Sequence, residues 1–215
     1  MIARYATFVL IPALVFLLAP ALAGGAYLAH PGPWLGFVLG VVTLASQPPL
    51  TPAALVSDAS DQRSALGIFL AVVVANLASV VQFASRAAVL PAPASWWVAV
   101  GTLCALGGMG LRLWAIRSLG RFFTSSVMVQ EGQRVLTDGP YRWLRHPSYT
   151  GTLLTALGIA VMVASPLGIL ATVALVLPAY VYRIRVEERT MVAGLGAAYA
   201  AYRERTPALF PWPSR

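Results

Sequence analysis

The chain has 215 residues, of which 59% are hydrophobic and only 10% are charged. Soluble domains carry about 25% charged residues, so this composition excludes an ordinary water-facing globule and indicates a helical membrane protein. The net charge of +8 comes from fifteen arginines, but these gather at the ends of apolar stretches, as at a cytoplasmic membrane face, and we predict no nucleic-acid partner. The single cysteine, Cys104, excludes a disulfide framework within the chain.

Two apolar stretches open the chain. Residues 5–29 carry no charge and exceed the roughly 20 residues that a membrane helix needs. A signal peptide is the alternative, because ALA at 21–23 resembles a cleavage site. We predict a retained span, since the rest of the chain is membranous too. Residues 34–56 contain three prolines that remove backbone donors, and we predict a kinked or irregular span at Pro48, Pro49 and Pro52.

The next two stretches, residues 65–85 and 96–116, predict the third and fourth spans, with a turn at 91–95 between them. The fourth contains several glycines, which we interpret as positions of close helix packing. They are Gly101, Gly107, Gly108 and Gly110. Arg112 follows near the end of this span, where its long side chain is expected to reach the membrane interface.

Residues 149–182 form another uncharged stretch, divided by SPLG at 165–168. Two helices of about 15 residues would each be about 22 Å long. We therefore predict a short helical hairpin with both ends on the cytoplasmic side, because arginines flank both. The predicted fold class is all-α, a polytopic integral membrane helical bundle of about six membrane segments. A short cytoplasmic C-terminal helix is expected over residues 187–205.

The segment GPYRWLRHPSYTG, residues 139–151, concentrates polar and aromatic groups between apolar stretches. Pro147 suits the first turn of a helix, with His146 at its cap and free backbone N–H groups that attract anions. The rings of Tyr141, Trp143 and Tyr149 can pack against a flat ligand ring or a cation. The alternative is that these rings bind no ligand and belong to an aromatic belt at the membrane interface.

A second cluster lies in YRIRVEER, residues 182–189. Arg183 and Glu187 are four residues apart on a predicted helix and therefore share a face with Tyr180. Arginines at the end of a membrane span often only determine its orientation. An Arg–Glu pair four residues apart is often a solvated ion pair that contributes little to stability. Both clusters lie at the mouth of one hairpin, and together they predict a site for a zwitterionic ligand.

These two segments, followed by GLGAAYAAYRERTPALFPW, resemble the isoprenylcysteine carboxyl methyltransferase family and, more widely, membrane phospholipid methyltransferases. LRLWAIRSLGRFFT, residues 111–124, is similar to the segment that precedes the site in that family. The resemblance covers residues 96–213. It implies a methyltransferase core over residues 96–215. Residues 1–95 carry no mark of the family, and their apolar stretches predict N-terminal transmembrane helices.

The resemblance implies an integral enzyme of the inner or plasma membrane, with a cytoplasm-facing pocket for S-adenosyl-L-methionine. Its acceptor would be a lipophilic or lipidated substrate that enters from the membrane lipids and is methylated on a prenylcysteine-like carboxylate. Arg183 matches a position near the reacting group, and Glu187 is the second expected catalytic residue. The expected cofactor-binding positions are Gln133, Arg134, Val135, Leu136, Gly139, Tyr141, His146, Pro147, Ser148, Tyr149, Glu187 and Glu188.

Other functions stay open on the sequence alone. An amine acceptor would have to lose a proton, for which Glu187, Glu188 or His146 are candidates. Membrane sterol reductases, which use NADPH, resemble the same C-terminal pattern, and a non-catalytic lipid-binding scaffold is a third possibility. No metal site is expected, because two histidines, His30 and His146, and one cysteine offer no ligand spacing. His30, beside Pro31, is expected to be a loop residue.

Overall fold

The computed structural model describes residues 9–18, 25–47, 59–87, 93–124 and 127–211. Regular structure in these ranges is helical throughout, without a strand, which confirms the all-α prediction. In chain order the helices are α1 (Val9–Leu18), α2 (Pro31–Ala45), α3 (Ala59–Ala87), α4 (Ser95–Leu119), α5 (Pro147–Met162), α6 (Pro166–Leu195) and α7 (Ala197–Arg205). Single 3₁₀ turns lie at Gly25–Ala29, Gly120–Phe122 and Gly139–Arg142.

Three helices of the described ranges are long and apolar enough to cross a membrane, over Ser64–Arg86, Ser95–Phe122 and Pro166–Leu195. These spans make the chain an integral membrane protein, but they do not confirm the predicted number of about six. Helices α1 and α2 are apolar but shorter. The prolines expected to distort the second span, and the ALA tripeptide at 21–23, lie outside the described residues.

Helices α5 and α6 form the predicted hairpin, and its tip is held by polar contacts. Pro166 begins α6, and the hydroxyl of Ser165 accepts a hydrogen bond from the Gly168 N–H at 3.0 Å, so the first turn of α6 is capped. Gln82 of α3 accepts from the Ser165 hydroxyl at 2.6 Å and from the Leu167 N–H at 3.0 Å. The tip is therefore attached to α3.

The second limb of the hairpin is longer than predicted. Helix α6 continues without a break through Arg183 and Glu187 to Leu195, so residues 187–195 do not belong to a separate C-terminal helix. The predicted boundary was wrong because those polar side chains are partly buried against α5 rather than marking a helix end. Helix α6 ends at Gly196, whose φ of +60° favours glycine, and α7 follows directly.

Close packing between α4 and α5 explains part of the glycine pattern. A Cβ added to Gly101 would lie 2.2 Å from the Met162 backbone nitrogen, and one added to Gly108 would lie 2.6 Å from the Gly151 carbonyl oxygen. These two glycines let the backbones approach, as predicted. Gly107 and Gly110 face open space within the described part of the chain, so the packing interpretation was wrong for them.

Two apolar clusters form the core. One joins helices α1 to α5 through residues such as Phe16, Leu39 and Met109. His30 precedes α2 and sets its ring edge-on against Phe83, with centroids 5.1 Å apart. The other cluster packs α3, α5 and α6 together and ends at Tyr180. It therefore supports the end of the hairpin where the predicted site residues lie.

Candidate functional site

A cleft with a cavity volume of about 130 Å³ lies at the open end of the hairpin. Its walls come from the segment after α4, the start of α5, the end of α6 and α7. Most of the predicted cofactor positions line it, namely Gln133, Arg134, Val135, Leu136, Tyr141, His146, Ser148, Tyr149 and Glu187. Gly139, Pro147, Glu188 and Arg183 are absent from its lining. Because Arg183 and Glu188 contact residues that do line the cleft, they belong to its supporting layer.

The start of α5 is positioned by the tail that follows α7. The backbone N–H groups of Arg145 and His146 donate to the carbonyls of Pro207 at 2.9 Å and Ala208 at 3.0 Å. The Thr150 hydroxyl adds a bond to a third tail carbonyl, that of Leu209, at 2.7 Å. Prolines prevented the tail from continuing as helix, and its extended carbonyls instead pair with the segment that carries His146.

Tyr202 of α7 strengthens the same attachment. Its hydroxyl donates to the Tyr141 carbonyl at 2.6 Å, and both residues line the cleft. Burial raises the pKa of Tyr202 to about 12, so the phenol keeps its proton and stays a donor at neutral pH. Helix α7 therefore fixes the 3₁₀ turn before α5.

His146 lies between two consecutive carboxylates of α6. Its Nδ1 is 3.3 Å from Glu187 Oε2, and its Nε2 is 3.1 Å from Glu188 Oε1. The Arg145 guanidinium donates to the same Glu188 oxygen from Nε at 2.7 Å. Burial lowers the pKa of His146, but the hydrogen-bonding carboxylates of Glu187 and Glu188 outweigh burial and the pKa lies above its ordinary value.

Glu187 also joins this cluster to Arg183. One carboxylate oxygen accepts hydrogen bonds from the Tyr149 hydroxyl and from Arg183 Nε, the latter at 3.0 Å. The Tyr149 ring stacks on Tyr180 with centroids 4.6 Å apart. Arg183 reaches α3 as well, donating from Nη1 to the Ser64 hydroxyl at 2.8 Å. The N-terminal helices therefore contribute directly to the site.

Arg112 is a functional candidate that the sequence analysis assigned wrongly. Only 3% of it is exposed, so it does not extend to the interface. Its Nε donates to the Ser46 hydroxyl at 3.2 Å and its Nη1 to the Thr152 hydroxyl at 3.1 Å. Its Nη2 is buried and has no hydrogen-bond partner among the residues that the structure describes. Gly108, one turn before Arg112, brings α4 into close contact with Gly151 of α5. The Arg112 side chain therefore points between the helices.

The surroundings of Arg112 connect it with the cleft. Its hydrogen-bond partner Thr152 lies one turn after Tyr149 on α5, and Tyr149 lines the cleft and stacks on Tyr180. No carboxylate within the described ranges forms an ion pair with Arg112. A buried cation that lacks a counter-ion is costly inside a membrane, so this position can accept a negatively charged group. The sequence feature that could have indicated a functional role for Arg112 was its position as a single charge within an otherwise apolar span.

The lining of the cleft contains side chains that can pair with either charge of a ligand. Arg134 lines it and makes no ion pair with any described residue, so its guanidinium is available for an anion. The carboxylate of Glu187 is available to a cation or to hydroxyl groups. Apolar side chains of Leu119, Phe122 and Met191 form another part of the lining. The site for a zwitterionic ligand stays a prediction, for which these residues supply groups of both charges.

Comparisons with known proteins extend the resemblance seen in the sequence. The model of the isoprenylcysteine carboxyl methyltransferase family matches residues 99–193. Protein-S-isoprenylcysteine O-methyltransferase B from Arabidopsis thaliana is 31% identical over 142 residues, or 64% of this chain and 72% of that protein. Protein-S-isoprenylcysteine O-methyltransferase A from the same plant is 32% identical over 120 residues, or 54% of this chain and 61% of that protein.

A solved structure shows that the fold of this chain is also similar to that of a known methyltransferase. The eukaryotic intramembrane Ras methyltransferase, an isoprenylcysteine carboxyl methyltransferase, aligns with a TM-score of 0.56 at 20% identity. The alignment covers 98% of this chain and 74% of the other. Given the matched family model and the extent of the Arabidopsis alignment, the chain belongs to the isoprenylcysteine carboxyl methyltransferase family.

Proposed function

We propose that this protein transfers a methyl group from S-adenosyl-L-methionine to the carboxylate of a lipidated, prenylcysteine-like substrate. One observation of the structure carries the choice of acceptor, namely that the buried guanidinium of Arg112 forms no ion pair with any carboxylate of the described residues. An acceptor carboxylate would complete its ion pair, whereas an amine acceptor would add a like charge or a neutral group. The relatives are named as methyltransferases of isoprenylcysteine, and the family supports the same reaction.

The residues of the cleft fit S-adenosyl-L-methionine by their chemistry. Arg134 suits the cofactor carboxylate, and Glu187 suits its ammonium or ribose hydroxyls. Tyr141 and Tyr149 offer ring faces to the adenine or the sulfonium. The Ser148 N–H at the start of α5 favours an anionic group as well, whereas the N–H groups of Tyr149 and Thr150 already donate to the His146 carbonyl. When bound, the cofactor would supply an activated methyl group that an oxygen nucleophile attacks in line, while the carbon–sulfur bond breaks and S-adenosylhomocysteine leaves.

The protein's part in the reaction is then placement and exclusion of water. A carboxylate acceptor is already ionised at neutral pH, because its ordinary pKa is about 4, so no general base is required. Arg183, fixed by Ser64 and Glu187, would orient the acceptor carboxylate, and Arg112 would neutralise its charge. Holding the acceptor oxygen and the methyl group in one line accounts for most of the expected acceleration.

We further propose that the cleft faces the cytoplasm. The exposed arginines of the described part of the chain concentrate around this end of the molecule, as expected for a cytoplasmic face. They are Arg117, Arg121, Arg134, Arg142, Arg185, Arg189, Arg203 and Arg205, whereas the exposed Arg86 lies near the end of α3 that contacts the hairpin tip. The lipid part of the substrate would approach from the bilayer, along the apolar helices.

The test compares three acceptors with purified protein in lipid nanodiscs and radiolabelled S-adenosyl-L-methionine. N-acetyl-S-farnesylcysteine offers the carboxylate, its carboxamide keeps the lipid but removes the charge, and phosphatidylethanolamine offers an amine. We expect base-labile methyl ester formation with the first acceptor alone. Methylation of the amine lipid instead, or a melting temperature raised by NADPH but not by S-adenosyl-L-methionine, would overturn the proposal.

A further inference from the structure

The imidazole of His146 faces a negative charge at both ring nitrogens. Glu187 Oε2 lies 3.3 Å from Nδ1, and Glu188 Oε1 lies 3.1 Å from Nε2. The residue is buried, with 8% of its surface exposed. Solvent therefore has little access to screen these contacts, and the ring's protonation decides whether they attract or repel.

A neutral imidazole cannot satisfy both carboxylates. It has one N–H group, and its other nitrogen carries a lone pair. An ionised carboxylate only accepts hydrogen bonds, so a neutral ring would place a lone pair against an oxygen about 3 Å away on one side. The imidazolium donates from both nitrogens and converts both contacts into charge-assisted hydrogen bonds.

The other groups around His146 do not replace this charge. Arg145, next to it in the chain, already donates to Glu188, and Arg183 of α6 already donates to Glu187. Tyr149 of α5 stacks on the imidazole with the rings 2° from parallel and also donates to Glu187. From the tail and α7 come the Ala208 carbonyl, which accepts from the His146 N–H, and the rings of Tyr199 and Tyr202 in the cleft.

We propose that His146 is a positively charged positioning residue, an imidazolium that holds Glu187 and Glu188 side by side and so fixes Glu187 at the cleft. Loss of its proton at alkaline pH then leaves one carboxylate facing a lone pair, and Glu187 loses its fixed position. The consequence for cofactor binding rests on the proposed function. The charge state of the ring does not, and it can be measured in the protein alone.

The first measurement is nitrogen NMR of the ring in cofactor-free protein. The chain has two histidines, so His30→Asn leaves a single labelled imidazole to observe. We expect both nitrogens to be protonated at pH 7.5, where a free histidine, with a pKa of about 6.5, is mostly neutral. A ring that is neutral at pH 7.5 would overturn the proposal.

Glu188→Gln is the decisive variant, because an amide nitrogen can donate to the lone pair of a neutral ring. We expect the ring in this variant to lose its proton at lower pH than in the parent protein. Glu204→Gln makes the same chemical change at an exposed position of α7 and should leave the titration unmoved. Equal titration curves for Glu188→Gln and the parent protein would contradict the positioning role.

Calorimetry with S-adenosyl-L-methionine from pH 6.5 to 9.5 tests the functional consequence. We expect the parent protein's affinity to fall about tenfold with rising pH, the equivalent of one lost charge-assisted hydrogen bond. Glu188→Gln should show a flatter profile. A pH-independent affinity in the parent protein would contradict the positioning role. A doubly protonated ring in a protein that binds no S-adenosyl-L-methionine at any pH would uphold the charge assignment and overturn the proposed function.

Discussion

Arg112 of α4 and Thr152 of α5 are joined by a hydrogen bond of 3.1 Å between Nη1 and the threonine hydroxyl. The bond lies inside the membrane-spanning part of the chain and links a buried cation to the helix that begins the cofactor cleft. Since Thr152 is three residues beyond Tyr149, a change at Arg112 reaches the aromatic stack directly.

Arg112→Gln is expected to reduce methyl transfer at least tenfold, mainly through a higher KM for the carboxylate acceptor. The variant removes a charge-assisted hydrogen bond of about 1.5–3 kcal/mol to the acceptor. It also removes an unpaired buried charge, so the melting temperature should not fall in proportion. Arg117→Gln, an exposed arginine on the same helix, is the matched control. Equal KM values in the two variants would exclude Arg112 from acceptor binding.

Arg183→Gln should lower kcat more than it lowers affinity for S-adenosyl-L-methionine, because its proposed partner is the acceptor. The comparison uses initial rates together with calorimetric cofactor binding. Arg185→Gln changes an exposed neighbour on α6 and should keep near-parental rates. If Arg183→Gln loses only cofactor affinity, Arg183 serves the cofactor through Glu187 and does not orient the acceptor.

Gly108→Ala and Gly107→Ala make the same change at adjacent positions with different surroundings. A Cβ at Gly108 would lie 2.6 Å from the Gly151 carbonyl oxygen, whereas Gly107 has no neighbour within 4 Å among the described residues. Overpacking should destabilise Gly108→Ala by about 1–3 kcal/mol, with little effect of Gly107→Ala. Thermal unfolding in one detergent measures both. Equal melting temperatures would contradict the close contact of α4 with α5.

Gln82→Leu is expected to loosen the tip of the hairpin. It removes the acceptor for the buried Ser165 hydroxyl and for the exposed Leu167 N–H, and a buried polar group left without a partner costs about 1–3 kcal/mol. Ser85→Ala, which removes an exposed hydroxyl from the same helix, controls for a general effect on α3. Hydrogen exchange of the tip amides, faster in Gln82→Leu alone, measures the change.

The stability of the cofactor-free protein should decline at alkaline pH through His146. Its folded-state pKa is raised by the neighbouring carboxylates against the effect of burial, and its unfolded value is about 6.5. The stabilisation is therefore complete below about pH 6.5 and is lost as the pH rises through the raised pKa. Unfolding curves from pH 6 to 9 measure it, with His146→Gln expected to flatten the dependence. A parent protein whose stability rises over this interval would contradict the assigned shift.

Sequence patterns predicted those features that depend on local chemistry. The bounds of α4, the hairpin turn at SPLG and the helix start at Pro147 follow from apolar length and proline position. The cluster of predicted cofactor positions was found because family motifs mark it. The length of α6 was misjudged, since charged residues such as Arg183 look like a helix end when their partners on α3 and α5 are not known.

Arg112 shows most clearly what local patterns leave open. Its place near the end of an apolar run is compatible with a side chain that reaches the interface or with one that is buried. The choice depends on Ser46 and Thr152, which are 66 and 40 residues away in the chain. The contacts of His146 with Glu187 and Glu188 and of Arg145 with the tail are likewise long-range. Such pairs are determined by the packing of helices and not by any periodicity.

Because the two helices of the hairpin differ in length, the activity of the enzyme is expected to depend on the surrounding lipid. Helix α5 is about 24 Å long and α6 about 45 Å, against a hydrocarbon thickness of about 30 Å. Measured along α6 from Pro166 at the tip, Glu187 is about 32 Å away, close to this thickness, whereas α5 is shorter than it. Because a long helix tilts to fit a thinner bilayer, chain length and headgroup of the host lipid become variables of catalysis, alongside pH and substrate.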